Sequence, residues 1–134
     1  MLTVADIMQA DVRTIGEDEP VAEAIVALAD GHISGLPVMN RGGQLVGVVS
    51  STDILAAEAE SVEDGGLNRV VTHTRVAEIM TRHPKSVEPS VPVKVAAQEM
   101  LYLDVHRLLV VKDGQLLGVV SQSDIVRAVA SGRL

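Results

Sequence analysis

The sequence predicts an α/β (α+β) fold in which two β-α-β-β-α repeats, related by a pseudo-twofold axis, form one compact module. Three observations predict it: a set of short motifs that occurs twice in the same order, apolar runs broken by turn residues at matching places, and a core composition almost free of aromatics. The duplication is the strongest of the three. Val4-Ala5-Asp6-Ile7-Met8 returns as Val76-Ala77-Glu78-Ile79-Met80, an offset of 72. Gly47-Val48-Val49-Ser50-Ser51-Thr52-Asp53-Ile54 returns as Gly118-Val119-Val120-Ser121-Gln122-Ser123-Asp124-Ile125, at offset 71. The one-residue difference falls where Asn40-Arg41-Gly42-Gly43-Gln44 faces Lys112-Asp113-Gly114-Gln115, in turn sequences that tolerate a length change.

Each repeat is expected to open with a short helical segment, followed by a brief extended stretch, Arg13-Thr14-Ile15 or Lys85-Ser86-Val87. A helix follows, with Asp18 or Ser90 placed to cap it and Pro20 or Pro92 in its first turn. Val21, Ala24, Ile25, Leu28 and Val93, Ala96, Ala97, Met100 recur at i, i+3, i+4, i+7, the spacing of one buried helical stripe. Two β runs come next, Leu36–Met39 with Leu45–Val49 and Leu108–Val111 with Leu116–Val120, joined by Gly42-Gly43 and Asp113-Gly114 as hairpin turns. The runs are apolar throughout, as in strands covered on both faces. A second helix is expected from about Thr52 and about Ser123. The chain is therefore divided into repeat 1 over 1–58, a linker over 59–75 and repeat 2 over 76–134. The linker is polar and acidic (Glu60, Glu63, Asp64) with Gly65-Gly66 as a break, and it reads as a tether, not a site.

Composition narrows the function. The 134 residues are 47% hydrophobic and 22% charged, enough for a buried core without staples and incompatible with disorder. With one Tyr and no Phe or Trp, the core is built from Val, Leu, Ile, Ala and Met, and a base-stacking platform is excluded. A net charge of −7 argues against a nucleic-acid surface that works by neutralising phosphates. The absence of Cys removes disulfides, thiolate metal sites and Cys nucleophiles. No apolar run reaches membrane-spanning length and the start does not read as a signal sequence, so a cytoplasmic protein is the expectation. His32, His73, His83 and His106 show no metal-ligand spacing. No nucleophile elbow, Walker loop or dinucleotide fingerprint occurs, so neither a catalytic residue nor a cofactor is assigned.

Two constellations remain. Ser50-x-Thr52-Asp53 and Ser121-x-Ser123-Asp124 stand where a strand passes into a helix. One reading is local: a Ser three residues before an acid is close to a capping box, and an Asp in the first turn suits the helix dipole. The other is functional: a carboxylate at a strand end can accept hydrogen bonds from vicinal sugar hydroxyls, and a helix start favours a phosphate. His106-Arg107 offers two adjacent donors, which strand alternation would send to opposite faces if both lie in regular β structure. The first repeat has Ser34-Gly35 in those columns, with His32 nearby.

Taken together, the duplicated Val-Ala-Asp/Glu-Ile-Met openings, the Ser34-Gly35-Leu36-Pro37-Val38 and His106-Arg107-Leu108-Leu109-Val110 strands and the Gly-Val-Val-Ser-x-Thr/Ser-Asp-Ile endings resemble a tandem CBS-domain pair, or Bateman module. The resemblance covers all but the linker and the last few residues. It implies an adenosine-containing ligand (AMP, ADP, ATP or S-adenosylmethionine) held in clefts between the repeats. It further implies that Asp53 with Thr52 and Asp124 with Ser123 hold ribose, and that His106 and Arg107 reach phosphates. Adenine would lie against Thr14, Ile15 and Pro37 on one side and Ser86, Val87 and Leu109 on the other. Because Ser34-Gly35 lacks the cations and Leu109 stands where the first repeat has Pro37, two unequal sites or a single competent one are expected. The same resemblance implies a homodimer built through helix faces such as Ile54–Ala59. The expected function is a standalone regulatory module, not an enzyme, acting on an unknown regulated protein. The alternative is a structural or protein-interaction module with no small-molecule ligand.

Overall fold

The computed structural model describes residues 1–60 and 73–133. Described elements follow the order α1 (Val4–Ile7), β1 (Ile15–Gly16), α2 (Val21–Gly31), β2 (Gly35–Met39), β3 (Leu45–Ser50), α3 (Ser51–Glu60), α4 (Val76–Ile79), β4 (Thr81–Arg82), β5 (Ser86–Val87), α5 (Val93–Leu103), β6 (Arg107–Lys112), β7 (Gln115–Ser121) and α6 (Gln122–Ala130). None of the described helices is long and apolar enough to cross a membrane. Of the expected tether, Ala59 and Glu60 close α3 and His73–Arg75 lead into α4; Glu63, Asp64 and Gly65-Gly66 lie outside the described residues.

In each repeat a short strand pairs in parallel with the first hairpin strand after a helical crossover, and the hairpin itself is antiparallel. The sheets run β1-β2-β3-β4 and β5-β6-β7. The one-residue difference between repeats sits in the hairpin turns, as expected. Asp113 and Gly114 both take positive φ (52° and 77°), the requirement of a two-residue turn whose twist matches the strands. In the first repeat a longer turn has only Gly43 at positive φ, closed by Asn40 N–H to the Gln44 carbonyl at 2.9 Å. Burial departs from strands covered on both faces throughout. The middles of β2 (Leu36, Pro37, Val38) and β6 (Leu108, Leu109, Val110) are buried, whereas β3 alternates buried with half-buried residues and β7 leaves some exposed, Leu117 among them.

The compact units cut across the sequence repeats. One unit comprises Met1–Val12 with Lys85–Leu134, the other Arg13–Pro84. Each opening segment is thus built into the unit of the other repeat. In the first of these units, Val4 and Ile7 join Val93, Ala96, Met100, Leu108, Val110, Val120 and Ala128 in one core. In the other, Val76 and Met80 join Ile15, Ala24, Ala27, Leu28, Leu36, Val38 and Val49. Burying one such aliphatic side chain is worth roughly 1.5–3 kcal/mol, which fixes where each four-residue helix docks.

The exchanged segments also replace the helix caps expected from Asp18 and Ser90. Pro20 and Pro92 occupy the cap positions, neither helix has a side-chain cap, and the first helical amides find carbonyls elsewhere. Val21 N–H donates to Thr74 O at 2.9 Å and Val93 N–H to Leu2 O at 3.1 Å. With that donor satisfied from another segment, Asp18 turns to Arg41 at 3.1 Å instead. Reciprocal bonds complete the match: Val76 N–H to Glu19 O in one unit, Val4 N–H to Val91 O in the other.

Candidate functional site

Each hairpin's second strand runs directly into a helix, and the turn between them is held by a Ser and the Asp three residues on. Asp53 Oδ2 accepts from the Ser50 amide (2.8 Å) and hydroxyl (2.9 Å), while Ser50 Oγ accepts from the Asp53 amide at 3.2 Å. Asp124 repeats the pattern with Ser121 at 2.8, 2.9 and 3.2 Å. Both aspartates are therefore reciprocal helix caps, the local reading of the motif. That role uses one carboxylate oxygen and leaves the other to be assigned.

The second oxygen differs between repeats. Asp53 Oδ1 accepts from the Thr81 hydroxyl at 3.0 Å. Asp124 Oδ1 accepts from Gln9 Nε2 at 3.0 Å and from the Arg127 guanidinium. Gln9 and Thr81 are equivalent positions, each following the methionine of its opening segment, Met8 or Met80. Asp53 stays half-buried, whereas Asp124 is buried, at 4% exposure. Burial pushes the Asp124 carboxyl upward, but the Ser121 amide, the Gln9 amide, the Ser121 hydroxyl and Arg127 together hold it below the ordinary aspartate value. Sequence reasoning missed Gln9, Thr81 and Arg127. The first two could have been found by extending the Met8/Met80 match by one residue, and Arg127 by its i, i+3 spacing from Asp124.

Asp124 also lines a hollow of about 580 Å³ inside its own unit, with Gln9, Met8, Arg127, Ser131 and Arg133. That volume lies in the range of small-molecule pockets. Thr52 and Ser123 are exposed in the first helical turns. Ser86 stands beside Leu109 in the parallel ladder and Val87 beside Val110. Ile15 stands beside Val38, and Thr14 and Pro37 hold the positions just before these. Ile15, Pro37 and Leu109 are buried, Val87 is half-buried, and Thr14 and Ser86 are exposed. His106 and Arg107 are both exposed, and β6 begins at Arg107, so the condition for alternation, that both lie in regular β structure, is not met.

Comparison with known proteins places this geometry. A family model described as CBS domain matches residues 4–60 and again 76–131. CBSX2, solved in complex with AMP, is 30% identical with a TM-score of 0.81, the match covering 100% of both chains. The CBS domain pair of protein MJ0100, solved with 5′-methylthioadenosine and S-adenosyl-L-methionine, is 28% identical with a TM-score of 0.75, covering 96% of this chain and 99% of that one. Homoserine O-acetyltransferase from Methanohalobium evestigatum is 32% identical over 94% of this chain, but the chain spans only 24% of that protein's length. Two consecutive family matches, on two repeats that build the same strand-to-helix aspartate turn, establish that the chain belongs to the CBS-domain family as a tandem pair.

Proposed function

We propose that this CBS pair is a regulatory module that binds an adenosine-containing ligand, AMP, ADP, ATP or S-adenosylmethionine, and signals by a change of conformation or oligomeric state. One observation carries the reading: the chain matches, end to end, a CBS pair solved with AMP, and keeps a carboxylate and a neighbouring hydroxyl at the strand-to-helix turn of both repeats. In this reading Asp53 with Thr52 and Asp124 with Ser123 are the candidates for the ribose hydroxyls. His106 and Arg107, both exposed, are the candidates for phosphates. Thr14, Ile15, Pro37, Ser86, Val87 and Leu109 are the candidates for the adenine wall. A net charge of −7 favours AMP or ADP over ATP.

The ligand acts only through its different affinity for two arrangements of the module, so its effect is bounded by that difference. We propose a regulatory and not a catalytic role, a cytoplasmic setting and an unidentified regulated protein. Homodimerisation through helix faces fits α3, none of whose residues is buried and whose Leu55 is 64% exposed.

A thermal-shift panel of AMP, ADP, ATP, NAD and S-adenosylmethionine tests the reading. A bound ligand at about 100 times its Kd raises folding stability by roughly 2.7 kcal/mol. No shift with any of them favours the structural or interaction module, a reading that the fully made helix caps at Asp53 and Asp124 would then explain by themselves.

A further inference from the structure

The two aspartates are equal as caps but unequal as acceptors. A carboxylate offers about four lone-pair directions to donors. At Asp124 all of them are engaged: the Ser121 amide and hydroxyl on Oδ2, Gln9 and Arg127 on Oδ1. At Asp53 the Ser50 amide and hydroxyl take Oδ2, and among the described residues Oδ1 receives only the Thr81 hydroxyl, so a direction stays open. Thr81 itself is adaptable, because a hydroxyl rotates and can accept as well as donate. The amide and guanidinium on Asp124 offer donors only at those atoms.

We infer that, of the two strand-to-helix aspartates, Asp53 is the one open to a sugar, and that Arg127 keeps Asp124 closed. The inference rests on the adenosine reading above and deepens it to the site's occupancy. It also inverts the imbalance expected from the sequence, since the repeat that carries His106 and Arg107 is the one whose carboxylate is engaged. The closure is a property of one position. Counting at the offset of 71, the first repeat's counterpart of Arg127 is Ala56. Both positions are exposed on their helices, so neither residue is required by the core. A neutral sugar hydroxyl is a weaker donor to a carboxylate than a guanidinium, so a nucleoside does not displace Arg127 from Asp124 unaided.

Exchanging the residues tests this. Isothermal titration with AMP is carried out on the wild type, Arg127→Ala and Ala56→Arg, with circular dichroism as the check on folding. The wild type is expected to take up one AMP per chain. Arg127→Ala leaves Asp124 Oδ1 with one donor, Gln9, as Asp53 Oδ1 has one in Thr81, and is expected to add a second AMP. Ala56→Arg places a guanidinium three residues after Asp53 and is expected to weaken AMP binding about tenfold or more. Two equal sites in the wild type, an unchanged single site in Arg127→Ala, or undiminished affinity in Ala56→Arg would each overturn the inference while leaving the adenosine reading intact. Failure of the wild type to bind any of AMP, ADP, ATP and S-adenosylmethionine would instead remove the adenosine reading, and this inference with it.

Discussion

Gln9 Nε2 donates to Asp124 Oδ1 at 3.0 Å, joining two residues 115 positions apart in the chain. The bond ties the opening segment of the first repeat to the helix cap of the second. It lies in the same unit in which Val4 and Ile7 reach the core beside Ala128. Its counterpart joins Thr81 to Asp53, across only 28 positions.

Loss of the Gln9 side chain leaves a buried charged acceptor short of a donor. Gln9→Ala is expected to lower unfolding free energy by about 1.5–3 kcal/mol, the range for hydrogen bonds to charged groups. Thr81→Ala is expected to cost less, near ~1 kcal/mol, because Asp53 is half-buried and water can replace the hydroxyl. Urea denaturation of the two variants checks the order, and an equal loss in both would contradict the difference in burial.

Truncation in the first opening helix should be felt in the second repeat. Ile7→Ala is expected to cost about 2 kcal/mol, the low end for removing a large aliphatic side chain, since Ile7 is 9% exposed. Native-state hydrogen exchange should show protection falling over residues 85–133 before residues 15–50. Loss of protection confined to 15–50 would contradict the assignment of Val4–Ile7 to the other unit.

The central glycines of β3 and β7 admit the exchanged backbone. A Cβ on Gly118 would stand 2.6 Å from Gln9 O and 2.9 Å from Met8 Sδ; on Gly47, 2.7 Å from Thr81 O and 2.9 Å from Met80 Sδ. Gly118→Ala and Gly47→Ala are therefore each expected to destabilise by about 1–3 kcal/mol, through overpacking against main chain. Gly42→Ala is the control: its nearest neighbour is the Asn40 side-chain oxygen at 3.4 Å, and a change within about 0.5 kcal/mol is expected. Melting temperatures of the three variants test the contrast.

Acid should release the Asp124 clamp. Its carboxyl is held below the ordinary aspartate value of 3.8 in the folded chain, so the stability it contributes is fully present above that value. The contribution is lost as pH falls further, through the lower folded value. Asp124→Asn is expected to flatten the stability profile below about pH 4 while the wild type falls steeply. Parallel profiles for the two proteins would show that other carboxylates dominate the acid limb.

Much of the architecture was legible in the chain. The duplicated motifs located both repeats, the i, i+3, i+4, i+7 stripe found Val21, Ala24 and Leu28, and the one-residue offset located the unequal turns. These are local signals, since periodicity and turn chemistry concern neighbours in sequence. The helix starts were misjudged because Asp18 and Ser90 have the right chemistry for caps, and only packing reveals that Thr74 and Leu2 carbonyls already meet the first helical amides.

By itself the sequence determined the duplication, the order of elements and the placing of Asp53 and Asp124 at strand-to-helix turns. Tertiary structure alone decided which opening segment completes which core, and with it which side chain meets each aspartate's second oxygen. The reason is physical: hydrogen bonds at i, i+3 are set by backbone geometry and can be read from spacing, whereas the Gln9–Asp124 and Thr81–Asp53 bonds depend on where a four-residue helix buries Val4 or Val76, a choice made by the shape of the whole core.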